Sequence, residues 1–135
     1  MGRVEDMRAE AEVLVRYAEV DRMDFVHSSR YLEWFEIGRT ELLRAIGLPY
    51  RELEDEGVFL PVVEAHVEYI KPVGYDDRLR IVTRGSIEGA RLRMEYEVLR
   101  DGELVARGYT VHACLNRERR PIRPPKELRE ALKGG

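Results

Sequence analysis

The segment running from Tyr17 to Tyr31 holds the residues best placed to do chemistry, above all Asp21, Asp24, His27 and Ser28. Val13, Val15 and Tyr17 alternate with Leu14, Arg16 and Ala18, which reads as a β-strand whose pattern ends at Val20. Asp21 is therefore expected just past a strand. Seven positions later comes Ser28, a good N-cap for the helical pattern that follows. N–H groups in the first turn of a helix lack internal partners, and the helix dipole adds positive potential there. A carboxylate beside such an end has the minimum apparatus for acyl transfer: a group to attack or to activate water, and donors for the developing negative oxygen. Taken alone, Asp21 also fits a turn or cap aspartate.

The elements that must position these residues are legible from periodicity. Tyr31, Phe35, Gly38, Leu42 and Ile46 recur at helical spacing. Leu32, Trp34, Ile37, Leu43 and Ala45 widen the apolar face, which predicts a long helix largely wrapped by other structure. Gly47 and Pro49 stop it, and 49–56 reads as a short second helix. From Phe59 the period becomes two. Val63, Ala65, Val67 and Tyr69 face opposite Glu64, His66 and Glu68; Pro72 and Gly74 then break the strand. Leu79, Ile81 and Thr83 form the next strand, and Leu92, Met94, Tyr96 and Val98 the one after. Asp101-Gly102 is a strong hairpin signal. The last strand, 104–115, alternates weakly and is expected to be buried on both faces. A terminal helix is expected over 125–132. The sum is α+β, ordered β-α-α-β-β-β-β, with an antiparallel meander curling around one central helix. One domain spans 1–135, with a core of about 10–116 and a tail of 117–135.

Asp21, the apolar pair Phe25-Val26, His27 and Tyr31 resemble the active-site region of hotdog-fold acyl-CoA thioesterases of the 4-hydroxybenzoyl-CoA thioesterase and YbgC type. The helix text from Tyr31 to Arg44 is similar too, as is Val67 to Pro72 followed by Asp76 or Asp77 and Leu79. The likeness extends over roughly 13–115. It implies a hotdog fold and hydrolysis of an acyl-CoA thioester. Asp21 would be nucleophile or general base, the Ser28 backbone N–H would polarise the carbonyl, and His27 would orient substrate or act as an acid. The resemblance implies pairing of sheet edges into a homodimer, assembling further to a homotetramer. Two positions depart from the family pattern: Asp24 stands where the family has Gly, and His27-Ser28 shift the usual histidine.

Asp24 and Tyr31 are candidates for lining the substrate site. Lys71, Arg117 and Arg119 are candidates for holding coenzyme A phosphates, since arginine matches phosphate geometry well. Met23, Phe25 and Phe59 are apolar candidates for an acyl pocket. Other readings are a hydratase or dehydratase on acyl thioesters, using His27 with Asp24, and a non-catalytic acyl-CoA binding protein.

Composition narrows the field. At 135 residues the chain can bury roughly 70% of its unfolded surface. With 44% hydrophobic and 36% charged residues it is globular, and a net charge of −3 gives no general pull towards nucleic acid. The single cysteine, Cys114, permits no internal disulfide and no cysteine zinc site, which fits a reducing compartment. The three scattered histidines predict no metal site. Glu5, Asp6, Glu10 and Glu12 make residues 1–13 unlike a signal peptide, and nothing approaches the ~20 apolar residues of a membrane span. The expected location is the cytoplasm, with no cofactor beyond the coenzyme A of the substrate.

Overall fold

A computed structural model describes residues 8–132. The element order is β1 (Arg8–Leu14), α1 (Arg30–Ala45), α2 (Tyr50–Asp55), β2 (Val62–Tyr69), β3 (Arg78–Glu88), β4 (Arg91–Arg100), β5 (Glu103–His112) and α3 (Lys126–Leu132). The first seven residues, including Glu5 and Asp6 of the leader reading, lie outside the described part. The five strands form one antiparallel sheet in the order β1-β3-β4-β5-β2. It curves around α1 in the hotdog arrangement, with α1 against β1 and β3.

The helix forms where the 3.6-residue period placed it. Tyr31, Trp34, Phe35, Gly38, Leu42 and Leu43 are buried and make one stripe against the sheet. Leu32 and Ile37 remain 42% exposed, so α1 is covered on one side and not wrapped all round. Its end follows the expected chemistry. Gly47 takes φ +81°, and the Leu48 N–H reaches back to the Leu43 carbonyl at 2.9 Å. Gly38 lets the helix approach β3 closely: a Cβ there would lie 2.3 Å from Thr83 Oγ1.

Three expectations need correction. β1 ends at Leu14, not Val20, because its partner β3 begins at Arg78, opposite Leu14. The chain then folds into a short 3-10 turn, Tyr17–Glu19. Secondly, β2 does not join a four-strand meander. β3, β4 and β5 form a three-strand meander, while β2 lies on the far side of β5 as an edge strand. Lastly, the stretch from 117 onward is not merely a tail, because Leu128 and Leu132 of α3 are fully buried in the core.

The sheet carries a buried polar chain beside the helix. The Tyr96 hydroxyl lies 2.7 Å from Thr110 Oγ1, which lies 2.8 Å from His112 Nε2. His112 Nδ1 is 3.0 Å from the Leu60 carbonyl, so Nδ1 carries the proton and Nε2 accepts. Burial pushes the His112 pKa down. A histidine neutral in the fold but protonated when unfolded destabilises the fold as pH drops below its unfolded value, near 6.5. Urea midpoints of the wild type should therefore fall below pH 6.5, and His112→Asn should flatten that slope. Among the buried side-chain atoms of the described residues, Thr83 Oγ1 has no partner. Thr83→Val should therefore stabilise the fold by about 1 kcal/mol, whereas Gly38→Ala should cost about 1–3 kcal/mol by overpacking. Thermal melts of both variants test the pair.

Candidate functional site

The chemistry-bearing segment folds as a miniature hairpin. Val20 and Val26 form an isolated antiparallel bridge, and the Asp21 N–H donates to the Phe25 carbonyl at 2.8 Å. The His27 N–H donates to the Glu19 carbonyl at 3.1 Å. Asp21 sits where the hairpin turns. Its Oδ1 accepts the Met23 N–H at 2.8 Å and the Phe25 N–H at 3.1 Å. The Phe25 N–H first, then the Met23 N–H, hold the Asp21 carboxyl below the usual carboxylate range. The His27 imidazole is near enough to push in the same direction. The result is an ionised carboxylate oriented through one oxygen. Among the described residues, Oδ2 accepts no hydrogen bond.

The hairpin leads directly into α1. Sequence spacing pointed to Ser28 as N-cap. In the structure the cap position is Ser29, and it makes no side-chain capping bond. The first turn closes on backbone alone, Arg30 N–H to the His27 carbonyl at 3.0 Å and Tyr31 N–H to the Ser28 carbonyl at 3.3 Å. Among the described residues, the Ser28 and Ser29 N–H groups donate to nothing. Ser29 is the cap position itself, and Ser28 comes just before it.

Beside them lies an open cleft of about 350 Å³, lined by Phe25, Val26, Ser28, Tyr31, the end of β2 at Tyr69 and the following stretch 70–73. Tyr31 is a wall of this cleft and also core: it is 3% exposed, edge-on to Tyr69 and packed on Trp34. Burial pushes its hydroxyl up to about 12, so it stays neutral. The Tyr69 hydroxyl donates to the Ser28 carbonyl at 3.2 Å, tying the edge strand to the helix start.

Two candidates have other work to do. Asp24 adopts φ +65°, the left-handed conformation that a glycine would take most easily. Its Oδ1 accepts the Tyr75 N–H at 2.9 Å, so its carboxylate pins the loop before β3. His27 lies near enough to Asp21 to help lower its pKa, while Asp24 accepts its hydrogen bond from the Tyr75 N–H. Lys71 reaches the cleft but its ammonium is ion-paired with Glu103. Arg117 and Arg119 are not brought to this cleft. They line a different pocket, next to Phe59 and Pro61 ahead of the opposite end of β2.

One residue that sequence reasoning passed over is central. Glu19 is 2% exposed. Its Oε1 accepts the Arg16 N–H at 2.8 Å and its Oε2 accepts the Trp34 indole N–H at 3.2 Å. Burial alone would raise its pKa, but the Arg16 N–H, the Arg16 guanidinium and the Trp34 N–H outweigh it and leave the pKa lowered. Glu19 thus fastens the hairpin to α1. No periodicity marks it, because its partners come from a turn and from a helix 15 positions away.

With this geometry in place, the relatives can be compared. The profile of the Thioesterase-like superfamily matches residues 15–132. The chain belongs to that superfamily. This thioesterase-superfamily chain is 35% identical over 109 residues to a putative acyl-CoA thioesterase, YneP, of Bacillus subtilis, covering 79% of each. The crystal structure of the hypothetical protein TT1821 from Thermus thermophilus superposes with a TM-score of 0.87 at 36% identity, covering 92% of this chain and 96% of that one. A DHNA-CoA thioesterase from Staphylococcus aureus gives a TM-score of 0.85 at 28% identity, covering 92% and 87%.

In Glu19→Gln of this superfamily member, the new amide cannot accept from both the Arg16 and Trp34 donors. The substitution should destabilise the fold by about 1–3 kcal/mol, read from urea denaturation.

Proposed function

We propose that the chain hydrolyses acyl-CoA thioesters to a free carboxylic acid and coenzyme A. The observation that carries this reading is the pairing of an ionised, backbone-oriented Asp21 with the unpartnered N–H groups at the start of α1, beside an apolar cleft. The relatives named as acyl-CoA thioesterases support it.

In this reading the thioester carbonyl lies at the cleft mouth with its oxygen towards the Ser28 N–H. The Asp21 carboxylate either attacks the carbonyl carbon or takes a proton from water that attacks it. Negative charge moves onto the carbonyl oxygen, where the Ser28 N–H stabilises it. The C–S bond then breaks and the thiolate of coenzyme A leaves. Attack by Asp21 would leave an anhydride, which water hydrolyses to regenerate the carboxylate. His27, exposed and adjacent, supplies a proton for the departing sulfur. Phe25, Val26 and Val73 offer apolar surface to the acyl group, and no metal or redox cofactor takes part in the steps.

The reading includes a homodimer, assembling to a homotetramer, in the cytoplasm. Support for the dimer comes from β2, an edge strand that exposes Val62, Val63 and Tyr69, with exposed Ile70 following. An unpaired apolar edge invites a second strand. Exposed Phe25, Leu32 and Ile37 add apolar surface on the hairpin and helix.

A thiol-release screen over short, long and aromatic acyl-CoAs tests the reading. Asp21→Asn should lower kcat by about 10²–10⁴-fold, with circular dichroism unchanged. Undiminished turnover in that variant would overturn the mechanism. Activity requires the ionised carboxylate, and its pKa lies below the usual 3.8. The acid limb of kcat/KM should accordingly appear only as pH drops below 3.8.

A further inference from the structure

Tyr69 ends the edge strand β2 and forms part of the cleft wall beside the start of α1. Its backbone is fixed by the sheet. It stands opposite Ala106 of β5, and the Ile70 and Lys71 N–H groups both donate to the Val105 carbonyl at 3.0 Å. Its ring is fixed by an aromatic chain. Tyr69 meets Tyr31 edge-on, with centroids 4.9 Å apart and planes at 83°. Tyr31 in turn packs on Trp34 at 4.7 Å, and Trp34 donates its indole N–H to the buried Glu19. The hydroxyl therefore has a defined place, 3.2 Å from the Ser28 carbonyl oxygen.

Burial does not demand that bond. Tyr69 is 52% exposed, so water can satisfy its hydroxyl. The consequence of the bond follows from the geometry of a peptide unit. A trans peptide is planar, and its C=O and N–H point in opposite directions. The Ser28 carbonyl and the Ser29 N–H belong to one such unit. A donor that fixes the Ser28 oxygen therefore aims the Ser29 N–H. The helix holds this unit only weakly. The Tyr31 N–H reaches the same oxygen at 3.3 Å, long for an N–H···O bond, and the Ser29 side chain makes no capping contact.

The preceding unit is oriented in the same sense. The His27 carbonyl accepts the Arg30 N–H at 3.0 Å, which leaves the Ser28 N–H facing out of the helix start. Two consecutive amides thus open at one end of α1, where the helix dipole favours negative charge. The Ser28 amide takes its aim from a backbone bond. The Ser29 amide takes part of its aim from a side chain on another element.

We propose that Tyr69 is a positioning residue for thioester hydrolysis. Through the Ser28 carbonyl, its hydroxyl aims the Ser29 N–H, which joins the Ser28 N–H on the developing oxyanion. This rests on the acyl-CoA reading above. A donor already in place needs no rearrangement when charge develops, so it favours the transition state more than a mobile one does. The contribution therefore belongs to kcat and not to KM.

Tyr69→Phe removes the hydroxyl and keeps the ring on Tyr31. Its thermal melt should match that of the wild type, while kcat for acyl-CoA falls about tenfold, part of what a lost donor costs. KM should stay within about twofold. An unchanged kcat, or a loss confined to KM, overturns the proposal. Ser29 has φ −64°, the value that a proline ring imposes, so Ser29→Pro deletes the N–H with that angle kept. It should cost about 10²-fold or more in kcat. Because Tyr69 works through that N–H, adding Tyr69→Phe to Ser29→Pro should bring no further loss. A further tenfold in the double variant would show independent action and overturn the proposal. A spectroscopic measurement needs neither turnover nor the proline: the carbonyl stretch of acyl-CoA, labelled with carbon-13 at the thioester carbon and bound to the Asp21→Asn protein. Polarisation by the amides should lower the frequency below its value in solution, and Tyr69→Phe should reverse part of that shift. Equal frequencies with and without the hydroxyl overturn the role of Tyr69. Thiol release that is lost in Asp21→Asn and untouched in Tyr69→Phe keeps the hydrolase reading and sinks this one. A wild type that releases no thiol, yet polarises the bound carbonyl only when the Tyr69 hydroxyl is present, does the reverse.

Discussion

Glu19 is almost wholly withdrawn from solvent, yet its carboxylate is stabilised as the charged form by the Arg16 N–H, the Arg16 guanidinium and the Trp34 indole. A buried charge without such partners would be costly enough to change protonation state or disrupt the fold. With them it becomes an anchor, because moving the hairpin relative to α1 would strip the charge of its donors. Its main-chain carbonyl adds a further tie, the hydrogen bond from the His27 N–H. The hairpin that carries Asp21 has little packing of its own: Asp21, Met23, Asp24 and Phe25 are all exposed. Its geometry is borrowed from Glu19 on one side and from the Asp24–Tyr75 link on the other.

That arrangement separates precision from exposure. A carboxylate that must meet a substrate has to stay in contact with solvent, and an exposed side chain is ordinarily mobile. Two backbone N–H groups fix one Asp21 oxygen within the turn and leave the other open to solvent, the arrangement that the proposed hydrolysis needs. The helix start is treated similarly. Ser29 provides no capping side chain, the Ser28 and Ser29 N–H groups have no partner among the described residues, and the Tyr69 hydroxyl steadies the Ser28 carbonyl. A helix end left uncapped in this way gives up a stabilising contact in return for a donor.

Much of the scaffold was legible because its causes are local. The spacing of Tyr31, Phe35, Gly38 and Leu42 dictates a helix with one buried stripe, and Asp101-Gly102 adopts the positive φ pair, +52° and +80°, that a tight hairpin needs. Other features were not legible because their causes are distant. Residues 15–20 alternate well enough to look like strand, but β3 offers no partner beyond Arg78, and the chain turns in instead. The alternation of β2 suggested a strand with one face to the core. It is an edge, open on both faces, because the loop carrying Pro72 and Gly74 takes the chain across to the other side of the sheet before β3 begins.

The sequence by itself determined the α+β architecture, the central helix and the position of Asp21 shortly ahead of that helix, since periodicity, turn residues and motif spacing act over a few neighbouring positions. Only the tertiary structure decided what each polar group does there. Asp24 is a loop pin because its partner Tyr75 lies 51 positions away. Lys71 is committed to Glu103, 32 positions away. Glu19 becomes an anchor because Trp34 reaches back to it. Arg117 and Arg119 lie apart from Asp21 because an entire edge strand intervenes. Hydrogen bonds and ion pairs reach only a few ångströms, so the roles of these side chains depend on which distant residues the fold brings within that range, and one-dimensional spacing does not contain that information.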